Sequence, residues 1–186
     1  EAPMKAVVDY ALGRRQVDPA RLAAYGISGG GGFVPRAAVF DKRIKAIVMN
    51  SAVVDAHRLF AAMPVAQATE KVMARFSSFK QNTIRAIAWR WGVAMDNIPG
   101  LVPANNGFSF NPAKVTCPAL ILVGQGEYAN PEVKRQQKEC LAKLLHPKKK
   151  LVVTPADEGA SNHCITENRG LMSQVVFDWL DGVLKP

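Results

Sequence analysis

The stretch from Arg21 to Phe40, RLAAYGISGGGGFVPRAAVF, constrains the fold more than any other part of the chain. Arg21–Ile27 has the apolar, short profile of a buried strand. Ser28 and four glycines, Gly29 to Gly32, follow at once, and Phe33–Phe40 is helical in pattern. A strand that turns this sharply into a helix is the opening of a parallel crossover, because a parallel neighbour cannot be reached by a tight hairpin. Three further segments fit the same plan: Lys45–Asn50 (KAIVMN), Ala119–Gly124 (ALILVG) and Leu151–Thr154. Each is short, rich in β-branched residues and ended by Gly, Asn or Pro. Helical candidates lie at Pro131–Leu145 and Asn168–Leu184. Ala2–Arg15 sets Met4, Val7, Val8, Ala11 and Leu12 on one stripe before Asp18-Pro19 breaks the pattern. The expected fold class is α/β, a parallel sheet with helices on both faces.

One stretch interrupts the alternation. Residues 56–110 hold no convincing strand, but show helical spacing in Leu59–Val72 and Ile84–Trp91, then a tail rich in Pro, Asn and Gly. An excursion of this length between two strands exceeds an ordinary crossover, and such excursions serve as lids or binding elements. The chain therefore divides into a core segment 1–55, a helical cap insertion 56–110, and a second core segment 111–186.

Composition narrows the classes. The 186 residues, 48% hydrophobic and 21% charged, are those of a globular domain rather than a disordered, collagenous or coiled-coil chain. No apolar run approaches the ~18–20 residues of a membrane helix, so a soluble protein without membrane association is expected. Three cysteines, Cys117, Cys140 and Cys164, form neither a disulfide framework nor a zinc-ligand spacing, which fits a reducing, cytoplasmic location and no metal or other cofactor. The net charge of +9 is spread along the chain, and only the segment after Lys150 is acidic. Lys148–Lys150 is the single basic run and has no interleaved aromatics, so it reads as a solvated turn; no nucleic-acid partner is expected.

Gly26-Ile27-Ser28-Gly29-Gly30 matches G-x-S-x-G in the strand–turn–helix context that gives the pattern meaning. The flanking residues must lack bulk for the turn to close. The serine hydroxyl then projects above the sheet at a helix N-terminus, where the Gly29 N–H can stabilise an oxyanion. A phosphate-binding loop is the rival, but it lacks the lysine of GxxxxGK[ST] and an acidic ribose contact.

A serine needs a base. Of the three histidines, His57 opens the insertion and His146 ends a helix before Pro147. His163 lies in a loop of small polar residues after the fourth strand, Glu158-Gly159-Ala160-Ser161-Asn162-His163-Cys164. Glu127, three residues past the end of the Ala119–Gly124 strand, is the favoured acid; Glu132 and Asp55 are rivals, and Asp157 is too near His163 in the chain. The order Ser28…Glu127…His163 is that of α/β-hydrolases and differs from those of chymotrypsin and subtilisin. Cys164 beside the histidine reads as a buried residue rather than a nucleophile.

The segments YGISGGGGFVPRAA, CPALILVGQGE and DEGASNHCITENRGLMSQVVFDWLDGVL carry a wider resemblance. They resemble the C-terminal half of α/β-hydrolases of the dihydroxypseudooxynicotine hydrolase, fermentation-respiration switch and fungal polyketide-shortening hydrolase group. The histidine loop Glu158–Cys164 and Phe177–Asp181 are its more specific parts, and Glu rather than Asp at 127 departs from the common pattern. The resemblance implies a capped serine hydrolase acting on a small-molecule ester, or on a carbon–carbon bond of a β-diketone or polyketide-like compound. A prolyl-oligopeptidase-like peptidase and a non-catalytic binding protein are the alternatives. Phe60, Phe76, Phe79, Trp89 and Trp91 would roof the site, with Trp89 and Trp91 as substrate contacts, or would pack the cap helices.

In the fold so implied, the nucleophile strand lies centrally and strands precede it, along with the loop giving the second oxyanion donor. A sheet ending at the Arg21–Ile27 strand would expose an apolar, unpaired edge. A separate chain carrying the N-terminal strands, most simply the upstream part of the same precursor cut before Glu1, is therefore expected to pair there, the alternative being a truncated sequence; a homo-oligomer is also compatible with the sequence.

Overall fold

The computed structural model describes residues 1–185. The elements run α1 (Ala2–Leu12), β1 (Ala23–Ile27), α2 (Gly30–Phe40) and β2 (Ala46–Asn50), then a helical stretch with α3 (Ala56–Ala61), α4 (Glu70–Met73), α5 (Ser78–Arg90) and α6 (Leu101–Ala104). The chain returns through β3 (Ala119–Gly124), α7 (Gln125–Tyr128), α8 (Pro131–Lys143), β4 (Lys149–Thr154) and α9 (Arg169–Val183). The four strands form one parallel sheet in the order β1-β2-β3-β4.

Strand alternation sorts the core into two layers. Ile47, Met49, Ala119 and Ile121 point to one face and pack with Val8 of α1, Val34, Ala37 and Ala38 of α2, and Cys140 of α8. Val48, Leu120 and Leu122 point to the other and meet Val176 of α9. Both central strands are fully buried, which explains their unbroken apolar runs. The expected arrangement of helices on both faces of a parallel sheet is therefore what the chain adopts.

Several boundaries differ from the sequence expectation. The first strand begins at Ala23 rather than Arg21, because Pro19–Arg21 forms a 3-10 turn capped by the Asp18 side chain. The helix after Ser28 starts within the glycines, at Gly30, where the tight turn already has helical geometry. Lys149 and Lys150, read as part of a turn, belong to β4 and pair with Ala119 and Leu120. A lysine-bearing edge strand resists further pairing. Leu59–Val72 is not one helix: Pro64 opens a 3-10 turn between α3 and α4.

Residues 55–109 form a compact unit apart from that of 1–54 and 110–186. Its own core contains Val65, Met73, Ile84, Ala88 and Leu101, with Phe60, Phe76 and Trp91 against them. Asp55 and Ser109 join its two ends in an isolated bridge.

Candidate active site

The strand registers align Ile27, Asn50 and Leu122, and carry β3 and β4 on to Gly124 and Thr154, so the carboxyl ends of the strands come together. This is the end of a parallel sheet where ligands bind. At the tip of β1 the chain reverses through Ser28, whose φ of 58° lies in the left-handed region. A non-glycine residue costs about 1–2 kcal/mol there. Two contacts hold the turn: the Ser28 N–H donates to Asn50 O at 2.6 Å, and Gly31 N–H donates to Ser28 O at 2.8 Å. Gly26 permits it, since a Cβ at that position would lie 2.0 Å from the Gly30 carbonyl oxygen. Gly29 is the N-cap of α2, and its N–H has no acceptor among the described residues.

β3 ends in α7, which carries Glu127 in its single turn. The loop after β4 reaches the same place. Gly126 and Glu127 N–H both donate to Ser161 O, at 2.9 and 3.2 Å, and Gly126 N–H also meets Ser161 Oγ at 2.9 Å. Glu167 fixes that loop from the other side, its Oε1 accepting from Ser161 N–H at 2.7 Å and Asn162 N–H at 2.6 Å. The Asn162 N–H holds the Glu167 carboxyl below the ordinary glutamate range.

The loop delivers His163 between the other two residues. Its Nδ1 is 2.8 Å from Glu127 Oε1 and its Nε2 is 2.9 Å from Ser28 Oγ. A carboxylate only accepts, so Nδ1 carries the donated proton, and in the neutral ring Nε2 accepts from the serine hydroxyl. Cys164 Sγ lies 3.2 Å from the same Nε2 and 3.5 Å from Asn50 O, while the Cys164 N–H donates to Glu127 Oε2 at 3.3 Å. The contact with Cys164, followed by that with Glu127, pushes the His163 pKa up to about 10, against the opposing effect of burial.

The other candidates have contacts of their own. Glu132 sits at the start of α8, bonded to Arg135 and Gln136. Asp55 caps α3 through Arg58 N–H. His146 accepts from Lys148 N–H on the surface, and His57 lies on α3. Cys164 is buried. Trp91 meets Phe108 edge-on at 5.5 Å, whereas Trp89 and Phe79 are exposed.

Three residues were not singled out from sequence. Ser51 Oγ donates to Glu127 Oε1 at 3.0 Å. Gln137, fully buried on α8, grips the Ala52 peptide, accepting from its N–H at 2.8 Å and donating to its carbonyl at 2.9 Å. Glu167 is the third. A polar residue at the end of a strand, or on the buried side of an otherwise charged helix, was the only local signal for the first two.

No family model matches the chain, and no curated protein matches it in sequence. Solved structures do. A 2,6-dihydroxy-pseudo-oxynicotine hydrolase superposes with a TM-score of 0.67 at 19% identity, over 98% of this chain and 46% of its own. An esterase of Pyrococcus furiosus gives 0.66 at 15% identity, over 98% of this chain and 61% of its own. GrgF, an α/β-hydrolase of Penicillium sp. sh18, gives 0.58 at 14% identity, over 96% and 70%. The chain has the α/β-hydrolase fold. It spans about half of the first hydrolase and about three fifths of the esterase, and its four strands correspond to the C-terminal portion of the hydrolase sheet. No helix among the described residues is long and apolar enough to cross a membrane.

Proposed function

We propose that the chain carries the catalytic residues of a serine hydrolase. Ser28 Oγ attacks a substrate carbonyl carbon while His163 Nε2 takes its proton, and the ring later returns that proton to the leaving group. Glu127 keeps the proton on Nδ1 and steadies the imidazolium, and the Gly29 N–H at the start of α2 faces the developing oxyanion. The observation that carries this reading is the single imidazole spanning Ser28 Oγ at 2.9 Å and Glu127 Oε1 at 2.8 Å.

Ser28→Ala is expected to abolish labelling by a fluorophosphonate and to cut turnover on the order of a millionfold. Unchanged turnover in that variant refutes the assignment and favours a non-catalytic binding protein with this fold. The substrate class proposed is a mid-sized ester or a β-diketone-like ketone. A panel of aryl esters, β-diketones and peptide amides decides between these, and preferential cleavage of the peptides favours a peptidase instead.

The working site is proposed to include a further parallel strand on β1, contributed from outside residues 1–185. Among the described residues β1 pairs with β2 alone, and its Tyr25 and Ile27 are exposed at 37% and 47%. An open apolar edge of this kind is an aggregation hazard unless covered. Native mass spectrometry of the active protein should show mass beyond these residues, on the same polypeptide or on a second one that leaves on denaturation; an active 20 kDa monomer overturns the idea.

A further inference from the structure

We propose that Ser51 is a positioning residue for the acid, its hydroxyl holding Glu127 Oε1 in line with His163 Nδ1. The proposal rests on the serine-hydrolase reading above. Oε1 accepts from both His163 Nδ1, at 2.8 Å, and Ser51 Oγ, at 3.0 Å. The other oxygen has the longer 3.3 Å contact with the Cys164 N–H. A carboxylate has no proton to give, so the hydroxyl is the donor, and a bond to a charged acceptor is roughly twice as strong as a neutral one.

Glutamate needs this more than aspartate would. Its extra methylene adds a torsion, and the carboxylate plane has to be fixed by its contacts. The His163 side chain is 61% exposed, so packing alone does not set the ring, and its orientation depends on the bond to Oε1. Ser51 is 4% exposed, which keeps bulk water from replacing its hydroxyl.

The backbone of Ser51 is suited to the task. A Cβ on Gly31 would fall 1.6 Å from the Ser51 carbonyl oxygen, so α2 rests directly on that peptide. The next residue, Ala52, is gripped at both N–H and C=O by Gln137. The preceding one, Asn50, accepts the Ser28 N–H. The end of β2 thus holds the nucleophile turn through a carbonyl and the acid through a hydroxyl. Displacing either would misalign both hydrogen bonds of His163.

The test measures fluorophosphonate inactivation of Ser28 in the active assembly and in the same assembly carrying Ser51→Ala, Ser51→Cys, Glu127→Gln or the Ser51→Ala/Glu127→Gln pair. Ser51→Ala is expected to slow the limiting inactivation rate about tenfold with the half-saturating probe concentration unchanged. Ser51→Cys, a weaker donor of similar shape, should fall between. In the Glu127→Gln background Ser51→Ala should cost nothing further, because the oriented carboxylate is already gone. A wild-type rate in Ser51→Ala or Ser51→Cys overturns the proposal, as does an equal loss in both backgrounds, which marks a purely structural role. If the unaltered assembly itself resists the probe, the hydrolase reading fails and this one with it.

Discussion

His163 Nε2 and Ser28 Oγ meet at 2.9 Å across 135 residues of sequence. The sheet makes the meeting. Ser28 follows the tip of β1, Glu127 follows the tip of β3 and His163 follows β4, and the parallel registers bring those tips to one side. The loops then need only short hydrogen bonds, such as those through Ser161, to set the final angles.

The elevated His163 pKa gives a direction to the pH dependence. Its folded value, about 10, exceeds the ordinary histidine value of 6.5. The contribution of the protonated ring to stability is therefore complete below about pH 6.5 and lost as pH rises through the folded pKa. Attack by Ser28 needs the neutral ring, so phosphonate reactivity should climb on the alkaline side of neutrality. Cys164→Ala, which removes the larger cause, should move that limb to lower pH. A limb at the same pH in this variant contradicts the assignment of cause.

Gly31→Ala should unfold the turn rather than weaken it gently. The new Cβ meets the Ser51 carbonyl oxygen at 1.6 Å and its carbon at 2.7 Å, both backbone atoms that cannot swing aside. A loss of about 3 kcal/mol is expected in urea denaturation, together with slower labelling of Ser28. Gly170→Ala on α9, where the nearest atom is 3.6 Å away, serves as the control.

Gln137→Met keeps the buried volume but abandons the Ala52 N–H and C=O. Two unsatisfied backbone groups cost about 3 kcal/mol together, which corresponds to roughly a 10 °C drop in Tm for a domain of this size. Calorimetry checks this, and a change within 2 °C would mean that about 3 kcal/mol is the wrong scale.

The strands of the sheet and the nucleophile turn are legible in local stretches of the chain. Apolar runs of strand length, the glycines around Ser28 and the polar loop before His163 are local patterns, and local backbone preference realises them in place. Their ends were less legible, because Pro19 and Pro64 act on neighbouring turns and edge pairing draws Lys149 and Lys150 into β4. Chain order placed Glu127 ahead of Glu132 and Asp55 as the candidate acid, but order cannot tell which carboxylate reaches an imidazole. Folding brings Glu127 to His163, Glu132 to Arg135 and Gln136, and Asp55 to the cap of α3. It alone brought Ser51 to Glu127 and Gln137 to Ala52, across 76 and 85 residues. Such pairings depend on sheet register and helix placement, which arise only when the two apolar layers pack, and no periodicity within a short window records them.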